Sequence, residues 1–158
     1  MKITVLEGDL VAQQVDCIVN AWNRNLIPWW LLLPQGVSAA IKRTAGLEPF
    51  RELRRHGFLP LGGAVLTGPG RLPIKGIIHV AGIGLAWRSS ERAIRSGVQN
   101  AMDLARAHQF QSIAFPLIGA GTGGVEPKVA EDVLLATLTD LVFDGEVRVV
   151  RYPGRTRA

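Results

Sequence analysis

Apolar positions recur along this chain with two different spacings, and the way the spacings alternate lays out the elements. Lys2 to Glu7 alternates apolar and polar residues, the two-residue period of a strand. Cys17 to Ala21 reads as a short buried strand, entered after a helical turn near Val11 to Gln14. From Gly36 to Ala45 the spacing changes: Val37, Ala40, Ile41 and Ala45 fall on one helix face, and Gly46 closes the segment. A second helix is predicted over Pro49 to His56. Gly63 to Thr67 and Gly76 to Ala81 return to strand, parted by the turn-rich stretch from Gly68 to Pro73. Ser89 or Ser90 then caps a long helix whose buried face is Ile94, Val98, Ala101 and Ala105. Ile113 to Pro116 is the next strand. Pro127 stands at the first position of another helix, which turns Ala130, Val133, Leu134, Thr137, Leu138 and Leu141 inward. Val147 to Tyr152 closes the chain as a last strand.

Strands alternating with helices predict an α/β domain with helices on both faces of a central sheet. No internal repeat or low-complexity linker divides the chain, so one domain is expected over residues 1–152, followed by a short basic tail at 153–158. Ligands of such sheets gather where the strands end at their carboxyl termini. The segments in that position are Gly8-Asp9-Leu10, Ala21 to Gly36, Ala81 to Trp87 and Gly119 to Gly124. The last is the most telling, because a strand runs into a glycine loop and then into a helix start at Glu126-Pro127. Such loops cradle anions on bare backbone amides, and they also serve as plain strand-to-helix turns.

Composition narrows the classes. At 158 residues, 47% hydrophobic and 20% charged, the chain is an ordinary globular domain large enough to bury a core. The single cysteine, Cys17, excludes an internal disulfide framework. It lies in an apolar run without a basic neighbour, as a buried structural thiol does. Residues 1 to 15 lack the apolar stretch of a secretory signal, and the longest apolar run, Leu26 to Pro34, is half of what crosses a bilayer. A cytoplasmic protein with no membrane partner is therefore expected. His56, His79 and His108 have no spacing that puts two on one helix face, so no metal site is expected. His79, in an apolar strand, reads as a satisfied core histidine. The net charge of +5 invites a polyanion, with Arg148, Arg151, Arg155 and Arg157 crowding the C-terminus.

Taken together, Gly8-Asp9-Leu10, Val19-Asn20-Ala21-Trp22-Asn23, Gly36-Val37-Ser38-Ala39-Ala40-Ile41 and Ile113 to Gly124 resemble the macrodomain family of ADP-ribose-binding modules, in both order and spacing. The resemblance covers roughly residues 1 to 150. It implies a three-layer α/β/α fold with a central mixed sheet, a pocket for ADP-ribose or an ADP-ribosylated molecule, and no cofactor. By the resemblance, Asp9 accepts from the adenine amino group and the Leu10 amide addresses the ring; Asp9 equally suits capping a turn that begins at Leu10. Asn23 matches the residue that bonds the distal ribose hydroxyls and is the candidate catalytic residue, whereas Asn20 is expected to tie down its own loop. Gly36 and Val37, with Ser38 after them, match the helix start against the diphosphate. Gly119, Ala120, Gly121, Thr122 and Gly123 would enclose it from the other side.

Three features depart from the common pattern. Where many relatives carry a glycine run after the asparagines, this chain has Asn25 to Gln35 with Trp29 and Trp30, which could roof the pocket, plug it or form a dimer contact. Gly119 and Gly123 stand where related loops often carry serine and an aromatic. Ser38 stands where hydrolases of the family commonly place an aspartate that positions or deprotonates water, and a serine without a neighbouring base does neither well. The resemblance therefore implies ADP-ribose recognition first, with weak hydrolysis of ADP-ribosyl linkages or processing of ADP-ribose-1''-phosphate as the accompanying activity. The alternative is an RNA or poly(ADP-ribose) module acting through its basic surface.

Overall fold

The computed structural model describes residues 1–23, 36–84 and 88–153, without the side chains of Asn23 and Thr122. Six strands form one sheet: β1 (Lys2–Glu7), β2 (Cys17–Asn23), β3 (Ala64–Thr67), β4 (Gly76–Ile83), β5 (Ser112–Pro116) and β6 (Glu146–Arg151). Their order across the sheet is β1-β6-β5-β2-β4-β3. All neighbours run parallel except β3, which pairs antiparallel with β4. The helices are α1 (Gly36–Ala45), α2 (Glu48–Arg55), α3 (Glu91–Ala107) and α4 (Pro127–Thr139).

Period-two side-chain alternation divides the sheet between two cores. Cys17, Val19, Ile78, Val80, Ile113, Phe115, Val147 and Val149 point to one face and pack under Ile94, Val98, Ala101 and Met102 of α3 and Ala130, Leu134 and Leu138 of α4. Ile18, Ile77, Ala114 and Val150 point to the other, against Ile41 and Ala45 of α1 and Phe50 and Leu53 of α2. Because both faces are covered, the central strands read as near-continuous apolar runs, and every residue of β4 is buried. The mixed three-layer architecture is the expected one. Burial, aided by the charge of Asp16, raises the Cys17 thiol far above its ordinary pKa, so it is a packing residue.

Helix boundaries follow their caps. Ser90 accepts from the Ala93 amide at 3.1 Å and starts α3. The Glu126 carboxylate accepts from the Val129 amide at 3.2 Å and, with Pro127 next, starts α4. α3 lies close on β4 because position 97 is glycine: a Cβ there would stand 2.5 Å from Val80 Cγ1. His56 and His108 are exposed caps at the ends of α2 and α3. Since β1, β2, β4, β5 and β6 run the same way, the segments that leave them meet along one edge of the sheet.

Candidate functional site

Along that edge runs a cleft of about 1040 Å³. Its walls come from Gly8, Asp9, Leu10 and Val11 after β1, Ala21 in β2, Val37, Ser38, Ala39, Ala40 and Arg43 of α1, and Ile83 of β4. The opposite side is Pro116, Leu117, Gly119, Ala120 and Gly121 after β5, Glu126, Pro127, Lys128 and Glu131 around α4, and Val150 to Pro153 after β6. Segments distant in sequence thus share one cavity. β1 and β2 stand three spacings apart in the strand order, about 14 Å, so the cleft is long enough for an extended ligand.

Asp9 begins this groove. One carboxylate oxygen accepts from the Val11 amide at 3.1 Å and caps the short turn Leu10–Ala12. Asp9 is exposed and on the cleft wall, so its second oxygen remains for a ligand donor while Leu10 beneath it is buried. Capping and ligand contact, alternative readings of one residue, are compatible here.

The start of α1 brings Val37 and Ser38 to the cleft. No acidic residue occupies its first turn, and Lys42 and Arg43 occupy its last. That arrangement leaves the positive end of the helix dipole unopposed at the cleft. Ser38 Oγ lies 2.8 Å from Asn20 Oδ1. Asn20 is fully buried in β2, and its amide nitrogen lies 3.0 Å from Nδ1 of His79 in β4. His79 Nε2 is 2.9 Å from Thr67 Oγ1 in β3. Among the described residues Asn20 joins the start of α1 to three strands; residues 24–35 of the loop it was expected to tie down lie outside them. Burial first, and the charge of His56 second, push the His79 pKa down to about 3, so the ring is neutral.

The glycine loop after β5 forms the facing wall. Gly119 and Gly121 hold φ values of +83° and +67°. The Ala120 and Gly124 amides bond within the loop, to the Leu117 and Gly121 carbonyls. A short 3-10 helix (Gly121–Gly123) completes the loop. Gly119, Ala120 and Gly121 line the cleft, whereas Gly123 is buried behind it.

The structure explains the two glycines that depart from the common loop. Ser89, which does not cap α3, donates its hydroxyl to the Gly82 carbonyl at 2.5 Å and its amide to the Gly123 carbonyl at 2.9 Å. A Cβ at Gly119 would stand 2.7 Å from Ser89 Oγ, and one at Gly123 would stand 3.0 Å from Ser89 Cβ. Ser89 fills the volume that side chains at those positions would need.

At the β1–β6 end Arg151, expected as part of a polyanion-binding terminus, is engaged by a carboxylate that sequence reasoning missed. Arg151 holds Glu131 by two bonds of 2.6 Å, and this pairing, more than any other influence, lowers the carboxylate's pKa against its burial. Lys128 pairs with Asp132. Tyr152 is largely exposed beside them. Arg148, a candidate for a polyanion-binding terminus, instead bonds Glu146 at 2.9 Å and Gln13 at 3.2 Å. Asn23 and Gly36 end β2 and open α1, but the Asn23 side chain, Trp29, Trp30, Arg155 and Arg157 lie outside what is described. Among the described residues no three His, Cys, Asp or Glu side chains converge on a metal position. No helix among them is long and apolar enough to cross a membrane.

Comparison with known proteins places this geometry. The chain matches the Macro domain family over residues 19–134. It is 37% identical over 149 residues to a Citrobacter rodentium protein named O-acetyl-ADP-ribose deacetylase, covering 89% of this chain and 80% of that one. It is 34% identical over 163 residues to a macro domain-containing protein of Listeria monocytogenes, covering 96% and 89%. Among solved structures, the Oceanobacillus iheyensis macrodomain with ADP superposes with a TM-score of 0.82 at 29% identity, covering 97% of this chain and 84% of that one. A variant of the same macrodomain with ADPR gives 0.82 at 29%, covering 97% and 86%. The family match reaches from β2 into α4, and with it the whole-chain relatives and the shared fold, it shows that this chain belongs to the macro domain family.

Proposed function

We propose that the protein recognises ADP-ribose or molecules carrying it, with the base at Asp9, the diphosphate between the α1 start and the glycine loop, and the second ribose at the Ser38 end. The observation that carries this reading is the convergence of Asp9, the start of α1 and the Gly119–Gly121 loop on one long cleft. Each end suits its part of the ligand. A carboxylate oxygen takes an exocyclic amine, and backbone amides with a helix N-terminus take a diphosphate. The O-acetyl-ADP-ribose deacetylase name of one relative, and the ADP and ADPR in the two solved neighbours, support the same ligand class.

Recognition comes before turnover in this reading. The carboxylates on the described cleft wall are Glu7 at the end of β1, Asp9 after it, and Glu126 and Glu131 around α4, and the described hydrogen-bond partner of Ser38 is the Asn20 amide, not a carboxylate. Calorimetric titration with ADP-ribose tests binding, and no heat at millimolar ligand would sink the proposal. Incubation with O-acetyl-ADP-ribose and with ADP-ribosylated protein tests hydrolysis. Turnover lost in Asn23→Ala would make Asn23 part of it, and equal turnover would remove it. The basic surface as an RNA or poly(ADP-ribose) interface is the second reading, favoured only by the net charge of +5.

A further inference from the structure

The polar chain that begins at Ser38 has a direction, and the direction fixes what Ser38 presents to the cleft. Thr67, at the inner end, decides it. Thr67 Oγ1 lies 3.1 Å from the Gly68 carbonyl oxygen and 3.5 Å from that of Ile77. Both are acceptors only, so the single hydroxyl proton is committed to that side. The Thr67 oxygen then receives a proton from His79 Nε2, 2.9 Å away. Because the buried ring is neutral, Nδ1 carries no proton and accepts from the Asn20 amide nitrogen at 3.0 Å. Asn20 is thereby turned with Oδ1 toward Ser38, whose hydroxyl donates to it at 2.8 Å. The reverse direction would turn the Thr67 proton to His79 Nε2 and leave the hydroxyl's lone pairs facing two carbonyl oxygens in a buried site, an unsatisfied arrangement.

With its proton spent inward, Ser38 shows the cleft only lone pairs. We infer that Ser38 is a specificity-determining residue that accepts a hydrogen bond from a hydroxyl of the ligand's second sugar. Asn20, His79 and Thr67 are the positioning residues that hold it in that state. The inference rests on the ADP-ribose reading, which puts that sugar at the Ser38 end. It adds a discrimination: a protonated sugar oxygen is welcome there, and an oxygen without a proton, such as that of a phosphate, is repelled.

The test compares ADP-ribose with ADP, which lacks the second sugar, by calorimetry on wild type, Ser38→Ala, Thr67→Val and Thr67→Ser. The His79 ring nitrogens are observed by nitrogen-proton NMR correlation in labelled protein. The expected result is an imidazole protonated at Nε2, with Ser38→Ala weakening ADP-ribose roughly five- to tenfold and ADP less than about twofold. Thr67→Val should weaken ADP-ribose selectively and shift the ring tautomer, and Thr67→Ser should restore both. A ring protonated at Nδ1, an equal loss for both ligands in Ser38→Ala, or no loss at all overturns the inference. Wild type that binds neither ligand overturns the ADP-ribose reading itself; failure of the Ser38 role alone leaves wild-type binding in place.

Discussion

Two side chains show how much a single residue decides here. Asp9 uses one oxygen on the Val11 amide and keeps the other for the ligand. Asparagine caps as well as aspartate, but once its one oxygen is spent it turns an NH2 toward an amine donor. Asp9→Asn should therefore keep the melting temperature and lose about tenfold or more in ADP-ribose affinity. Asp9→Ala should lose that affinity and also about 1 kcal/mol of stability; melting curves beside titrations separate the two. His79 makes the second case. Its folded pKa, about 3, lies below the ordinary value of 6.5, so the unfolded chain binds the extra proton. Its contribution is thus fully present above pH 6.5 and is lost as pH falls toward 3, by up to about 1.4 kcal/mol per pH unit. Depressed carboxylates such as Glu131 and Asp16 lose stability in the same direction at lower pH, so the window from 6.5 to about 5 isolates the histidine. Denaturant titrations across it should slope in wild type and flatten in His79→Gln. The sequence made His79 legible as a satisfied core histidine. It could not show Thr67 as a partner, because that contact depends on the register of β3 against β4.

At the scale of elements, the glycine loop and the segment before α3 form one unit. Gly119→Ala meets both a φ of +83° and Ser89 Oγ at 2.7 Å, whereas Gly121→Ala meets a φ of +67° with nothing within 4 Å. The second change should cost about 1–2 kcal/mol of stability and the first clearly more, about 2–4 kcal/mol, by urea denaturation. Most elements were legible to within two residues because apolar spacing and caps agree, as at Pro127 and Ser90. β2 and β4 run on to Asn23 and Ile83, past the predicted ends at Ala21 and Ala81, because their pairing continues through the shift at Trp22/Asn23. Ser89 was misread as a possible cap for a related reason: its hydroxyl goes to Gly82, the far side of a loop that spacing alone cannot fold.

For the whole molecule, ligand and stability are coupled. A ligand present at a hundred times its Kd adds about 2.7 kcal/mol, which raises the melting temperature of a domain of this size by roughly 5–10 °C. ADP-ribose should produce that shift, and ATP or NAD at equal concentration should produce a clearly smaller one. The same linkage gives a further meaning to the Asn20–His79–Thr67 rung, which crosses β2, β4 and β3 with Asn20 opposite His79. If β4 slid by one residue, His79 would turn to the α3 face and be stranded among valines and isoleucines, with Asn20 and Thr67 stranded on the other side. An apolar strand buried on both faces can slip and still look hydrophobic everywhere. This chain carries a polar key at its centre, so a sheet mispaired by one residue buries three polar side chains without partners and is the less stable one.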